Sequence, residues 1–295
     1  MKLPVPFRKF FLATSILVLC FGKPLYDLMR FAAQNDLYSY ILLIPVVSIY
    51  LVWSQRKQWP LPVQPAGKLA ALFFGSGLVA LAGYGWAVHS ALLAKADYLA
   101  LTTLAFVLCF TGICCQWLGR ERVRALAFPI GLLIFMIPFP ELMRQGIERL
   151  LQHGSAAVAA GMFWLSGLPV YQDGLLFRLP GINLEVATEC SGIHSSLVLL
   201  ITSLIAGYLF LRTPWKRATL ALAVFPLAVL RNGFRVFVIG QLCVHGGSEM
   251  INSPIHRHGG PLFFILSLLP LLLLLLLLRK SERTLPKLSP STPQT

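Results

Sequence analysis

Glu189-Cys190-Ser191-Gly192 stands where a short polar stretch gives way to an apolar run from Leu197 to Leu211. A thiol at the mouth of a long apolar helix has a physical reason to be reactive. The first turn of a helix carries unpaired N–H groups and partial positive charge, and both favour the thiolate. Two other chemically capable groups follow. Arg231 and Arg235 interrupt the apolar sequence Leu230-Arg231-Asn232-Gly233-Phe234-Arg235-Val236, and His256 and His258 precede the last apolar run. A thiolate, a fixed guanidinium and a base that titrates near neutrality are the parts that acyl transfer through a thioester needs.

The residue types suggest separate roles. Arg235 cannot lose its proton, so it suits a fixed donor to the thiolate or to a developing oxyanion. His256 can protonate a leaving amine and then deprotonate the incoming nucleophile, with His258 competing for that role. Glu189 can orient one of these groups or cap the helix. Arg231 shares a helical face with Arg235, one turn away, and suits a structural role or the binding of polar substrate groups. Plainer readings stay open at this level. The arginines can snorkel to headgroups, and the histidines can sit in a solvated loop. His245, His256 and His258 with Cys190 or Cys243 can be read as a metal site, and Cys190 with Cys243 as a disulfide.

These residues are embedded in an unusually apolar chain. Of 295 residues, 57% are hydrophobic and 12% charged, and the mean hydropathy is +0.73. Soluble domains carry about 25% charged residues, so the composition describes an all-α polytopic membrane protein. The formal net charge is +14. In such a chain basic residues flank spans and hold the cytoplasmic side. No pattern of interleaved basic and aromatic residues points to nucleic acid. Cys20, Cys109, Cys114 and Cys115 lie in apolar runs, where cysteine serves as a small core residue, and no CxxC pair occurs.

Hydropathy places about eight spans, near 10–26, 38–54, 67–87, 97–118, 123–139, 192–211, 217–243 and 260–278. The stretch 142–170 opens with charged residues and reads as an interfacial helix or an extra span. Charge separates the two. If 142–170 does not cross, one side collects three lysines or arginines in the N-terminal segment and three in each of the loops near 55–68, 119–124 and 212–217. The C-terminal tail adds four more. The positive-inside rule then puts both termini in the cytoplasm and Cys190 on the outer face. Residues 168–188 are the convincing β region. Asp173-Gly174 and Pro180-Gly181 mark two turns of a small outer hairpin or meander that delivers the chain to Cys190. Residues 1–283 read as a single transmembrane domain, and the Pro- and Ser-rich 284–295 as a disordered tail.

Glu189-Cys190-Ser191-Gly192-Ile193-His194-Ser195 resembles the Cys-Ser-Gly-Ile-x-Ser motif of the exosortase/archaeosortase family of membrane transpeptidases. Asn232-Gly233-Phe234-Arg235 is similar to that family's Asn-x-x-Arg. His256, followed four residues later by Gly260, is similar to its His-x-x-x-Gly. Tyr38-Ser39 through Ile44-Pro45 to Trp53, and Phe135-Met136-Ile137-Pro138, also resemble the family, so the likeness runs from about residue 35 to 278.

The resemblance implies a cysteine transpeptidase that cleaves C-terminal sorting signals of secreted proteins and transfers them to an acceptor at the cell surface. Cys190, Arg235 and His256 would be catalytic, supported by Glu189, Arg231, Asn232 and His258. The signals would comprise a short motif such as Pro-Glu-Pro, a transmembrane helix and a basic cluster. The implied location is the bacterial inner membrane with the site facing outward. Water, an amine, a polysaccharide or a lipid would accept the acyl group. No metal or cofactor is implied. The competing reading is a non-enzymatic transporter or assembly factor for an exported polysaccharide, in which the arginines bind an anionic group and Cys190 is incidental.

Overall fold

The computed structural model describes residues 5–56, 64–89, 94–186, 192–247, 249 and 260–283. Glu189, Cys190, His256, His258 and the 284–295 tail lie outside the described residues. The chain adopts the all-α polytopic membrane architecture expected of its composition, with one small sheet placed before the helix that follows Cys190. Among the described residues, six helices are long and apolar enough to cross a membrane, or up to eight if each of two broken pairs counts as one span. The chain divides into two compact units at Arg144/Gln145.

The first unit contains α1 (Val5–Cys20), α2 (Gly22–Gln34) and a 3-10 segment, Asp36–Leu42, that leads into α3 (Leu43–Ser54). It continues with α4 (Gly67–His89), α5 (Lys95–Leu118), α6 (Arg120–Ala125), α7 (Ala127–Leu132) and a 3-10 turn, Leu133–Met136. Two of the expected spans are not single rods. The stretch read as 10–26 bends by 69° between Cys20 and Gly22. Pro24 explains the break: it has no N–H for the Cys20 carbonyl, and its ring crowds that oxygen. The stretch read as 123–139 is split into α6, α7 and the 3-10 turn, and it stops at Ile137, which is extended at φ −79° and ψ 116°. Pro138 follows, and a residue before proline is pushed out of the helical region.

The centre of this unit is α5, which buries Leu99, Thr102, Ala105, Cys109 and Cys115. It packs closely on α4 because glycines stand at the crossing. A Cβ on Gly77 would lie 2.7 Å from Cys109 Sγ, and one on Gly112 would lie 3.2 Å from the Phe74 ring. Membrane helices associate chiefly by such fitting, because lipid tails are as apolar as leucine. At the end of the unit, Asp97 Oδ1 accepts the Glu141 backbone N–H at 2.8 Å, which caps the first turn of α8 (Glu141–Leu165).

The second unit holds α8 from Gln145 onward, then β1 (Tyr171–Asp173), β2 (Leu176–Leu179) and β3 (Ile182–Glu185). It goes on through α9 (Ile193–Phe210), α10 (Pro214–Leu222), α11 (Val224–Gly246) and α12 (Gly260–Arg283). The strands form the expected meander, antiparallel in the order β1-β2-β3. Its turns fall at the two dipeptides singled out in the sequence. Gly174 at φ +60° opens the first loop, and Pro180 followed by Gly181 at φ +81° has the pattern of a type II turn. One face of the sheet is apolar. Phe177, Leu179 and Leu184, with Val186, pack on Ala156, Ala159 and Phe163 of α8 and on Val236, Ile239 and Cys243 of α11.

At the other end of α9 and α11, the α9–α10 connection is clamped to the end of α12. The Arg212 and Thr213 backbone N–H groups donate to the Glu282 carboxylate at 3.0 and 2.9 Å. Buried Lys216 donates to the Leu278 carbonyl at 3.3 Å and to Ser281 Oγ at 3.2 Å. Two of the basic segments counted in the orientation argument therefore lie together.

Glycine at the α4–α5 crossing gives a direct test of packing. Gly77→Leu should destabilise the protein by about 1–3 kcal/mol through overpacking. Gly75→Leu, where nothing lies within 4 Å of the new Cβ, should be neutral. Thermal unfolding in detergent checks this, and equal melting temperatures for the two variants would contradict it.

Candidate functional site

Polar groups in the second unit gather where three elements meet: α8, α11 and the first turn of α9. The approach of α8 to α11 depends on Gly233. A Cβ there would lie 2.6 Å from Val158 Cγ1 and 2.9 Å from the Ser155 carbonyl oxygen. Without that Cβ the backbones close, and buried Asn232 donates from Nδ2 to Ser155 Oγ at 3.0 Å. Gly240, seven residues later, repeats the device against Phe163.

Arg231 is 8% exposed and lies on the first turn of α9. Its Nη2 donates to the Gly192 carbonyl at 3.3 Å and to Ser196 Oγ at 3.4 Å. The Gly192 oxygen also accepts from the Ser196 backbone N–H at 2.9 Å and from the Ser195 and Ser196 hydroxyls at 3.1 and 2.7 Å. Gly192 takes the N-cap position in the left-handed conformation, at φ +70°. A Cβ there would meet Arg231 Nη2 at 2.9 Å and Asn232 Oδ1 at 3.3 Å. Conformation and space both call for glycine at this position. Arg231 Nη1 is buried and has no hydrogen-bond partner among the described residues. A buried guanidinium whose acceptors among the described residues are neutral favours an anionic oxygen at its open side.

Arg235 shares Arg231's face of α11, about 6 Å further along the axis. That direction leads towards Val236, Ile239 and Cys243, which carry the meander. Arg235 is half-buried. Beyond the two arginines, Val236, Ile239 and Gly240 are themselves buried. Cys243 lies inside the apolar cluster and has no disulfide partner among the described residues. His245 is exposed at the end of α11, where Nδ1–H donates to the Gln241 carbonyl at 2.9 Å.

The structure thus brings Arg231 and Asn232 to the Gly192 end of the cysteine motif and places Arg235 one turn away. Sequence reasoning gave Arg231 a structural or substrate-binding role, and Arg231 contacts Gly192 and Ser196. It also missed two α8 residues, Gln152 and Ser155, both buried. Gln152 Nε2 donates to the Val186 carbonyl at 2.9 Å. The signal was present, since Glu148, Gln152 and Ser155 recur at helical spacing on one face. It was masked by the charges at the start of α8, which suggested a helix lying in the interface.

Fold and cluster together define a polytopic helical membrane protein whose buried polar residues converge at the mouth of one span. Within that class, the model of the transmembrane exosortase family matches residues 32–273, most of the chain. The chain belongs to that family. No curated protein matches it, and no solved structure does.

The αL requirement at Gly192 leads to a prediction. Gly192→Ala should lower stability by about 1–2 kcal/mol from the left-handed conformation alone, with more from the contact with Arg231. Ser195→Ala should cost less, because the Gly192 carbonyl keeps its other donors. Melting temperatures in detergent test the order, and a Gly192→Ala protein as stable as wild type would contradict it.

Proposed function

We propose that this chain is a membrane-embedded cysteine transpeptidase that cleaves C-terminal sorting signals of secreted proteins and passes the acyl group to an acceptor. The observation that carries the reading is the contact between two motifs that lie far apart in sequence. Arg231 and Asn232 flank Gly192, which belongs to the Cys-Ser-Gly-Ile motif. Cys190 precedes Gly192 by two residues, and two residues of extended chain span at most about 7 Å. Membership of the exosortase family supports the same chemistry.

In this mechanism the Cys190 thiolate attacks the scissile carbonyl. The carbon–sulfur bond forms, and the carbonyl π electrons move to oxygen, where Arg235 and the donors of the α9 mouth stabilise the charge. Collapse of the tetrahedral species breaks the carbon–nitrogen bond. His256 gives its proton to the leaving amine, which departs with the substrate's own transmembrane helix. The same histidine then takes a proton from the acceptor nucleophile as it attacks the thioester, and thiolate is regenerated. Glu189 and His258 flank these groups as candidate supports. The substrates are secreted proteins that end in a short motif, an apolar helix and a basic cluster. The acceptor is water, an amine, or a glycan or lipid of the envelope. The basic loops orient the site to the outer face of the bacterial inner membrane, with both termini in the cytoplasm.

Cys190→Ala should leave the protein at normal levels in the membrane while full-length substrate accumulates in co-expressing cells. Normal processing by that variant would sink the thioester route and favour a non-enzymatic export role. Arg235→Lys should lose about a hundredfold or more in rate, the scale seen when one oxyanion donor is removed, because a point charge does not reproduce a planar fork. Processing within twofold of wild type would reduce Arg235 to a packing role.

A further inference from the structure

The polar cluster around Gly192 leaves part of Arg231 unanswered. The side chain is 8% exposed, yet Nη1 is buried without a hydrogen-bond partner among the described residues. Nη2 reaches the Gly192 carbonyl and Ser196 Oγ only at 3.3 and 3.4 Å. Guanidinium bonds to charged acceptors are shorter, about 2.7–2.9 Å, so two neutral oxygens hold this head group loosely. Among the described residues no carboxylate meets Arg231. Arg235, on the same face of α11, adds a second positive charge. An unmatched charge buried in a membrane helix is costly, and by default it marks a functional site.

The surroundings fit one class of ligand. Arg231 leans on the first turn of α9, an 18-residue helix whose N-terminal peptide groups present partial positive charge. A planar guanidinium with an open terminal nitrogen beside a helix N-terminus matches a small planar anion, a carboxylate. We propose that Arg231 is a specificity-determining residue that binds the carboxylate of an acidic residue in the exported protein. The proposal rests on the transpeptidase reading for which protein brings the carboxylate. Arg231 and Arg235 stand about 6 Å apart along α11, and extended chain spans about 3.3–3.6 Å per residue. With the scissile carbonyl at Arg235, the acidic residue lies about two residues from the scissile bond. Binding replaces long bonds to neutral oxygens with short charge-assisted ones. A protein without the acid leaves the guanidinium unmatched, which is how the site rejects it.

The test uses the full-length protein in detergent and two blocked tripeptides, Ala-Glu-Ala and Ala-Gln-Ala, at equal ionic strength. Near saturation, Ala-Glu-Ala should raise the melting temperature by about 2 °C or more above Ala-Gln-Ala. In Arg231→Gln the two peptides should act alike. Equal stabilisation of the wild type by both peptides overturns the proposal, as does a carboxylate effect that survives in Arg231→Gln. Inorganic phosphate acting as strongly as Ala-Glu-Ala also overturns it, because the site is then open to any anion. An effect that appears only after Glu189→Gln overturns it too, by making Glu189 the natural partner. If Arg231→Gln does not accumulate, the wild-type comparison still decides. Arg231→Lys, which keeps the charge without the planar fork, should then at least halve the difference.

Selection is read in cells. Cleavage of a co-expressed substrate is compared with that of the same substrate carrying glutamine for its acidic residue near the scissile bond. The loss should be about tenfold or more with wild type and absent with Arg231→Gln, a non-additivity that a purely structural role does not produce. Additive losses overturn the specificity role. Cys190→Ala keeps the two readings apart. Processing by that variant defeats the thioester route, whereas the peptide measurement needs no cleavage and decides the carboxylate site by itself.

Discussion

Hydrocarbon offers no water to an unpaired donor, so a polar side chain in a membrane helix is tolerable only where another element meets it. Placing an arginine or lysine at the centre of a span costs about 2.5–3.5 kcal/mol on insertion scales. In this protein the requirement falls on α11, which carries Arg231, Asn232 and Arg235 in one turn and a half. Asn232 is answered by Ser155 of α8, and Arg231 by Gly192 and Ser196 of α9. The bond to Ser155 exists only because Gly233 lets the α8 and α11 backbones close. The close crossing of α8 on α11 is therefore the constraint from which the site follows. The same crossing seats the meander, whose apolar face is packed on the next turns of both helices.

This arrangement divides stability from reactivity. Apolar contacts from Ala156 to Phe163 and from Val236 to Cys243 hold the sheet. The Gln152 and Arg231 bonds end on Val186 and Gly192. In the proposed mechanism the donors near Gly192 need no reorganisation during reaction, and preorganised donors of this kind are usually the largest single contribution to acyl transfer. Arg231 adds a buried Nη1 that is open among the described residues, so the region is arranged for negative charge.

Much of this was legible in the residues themselves. Asp173-Gly174 and Pro180-Gly181 announced the meander and its two turns, because few other dipeptides satisfy those backbone angles. Arg231, Asn232 and Arg235 stood out by their cost in an apolar helix. The family membership was legible from the cysteine motif and its order relative to Asn232 and Arg235. What was less legible depends on tertiary contact or on averaging. A hydropathy window runs across Pro24 and so reports a single span where the backbone bends. The polar face of α8 was hidden because the first-turn charges Glu141 and Arg144, which pair with one another, made the helix look interfacial. The contact of Arg231 with Gly192 could not be read at all, since it depends on how α9 and α11 dock.

The central claim is that a covalent acyl-enzyme forms on Cys190 at the mouth of α9. Intact-mass and peptide mass spectrometry of the full-length protein, taken from membranes that also hold substrate and quenched in acid, tests it most directly. The account predicts a Cys190 peptide heavier by the substrate fragment, with the adduct released by hydroxylamine as a thioester requires. Processing of substrate with no adduct on Cys190, or an adduct on another residue, would contradict it.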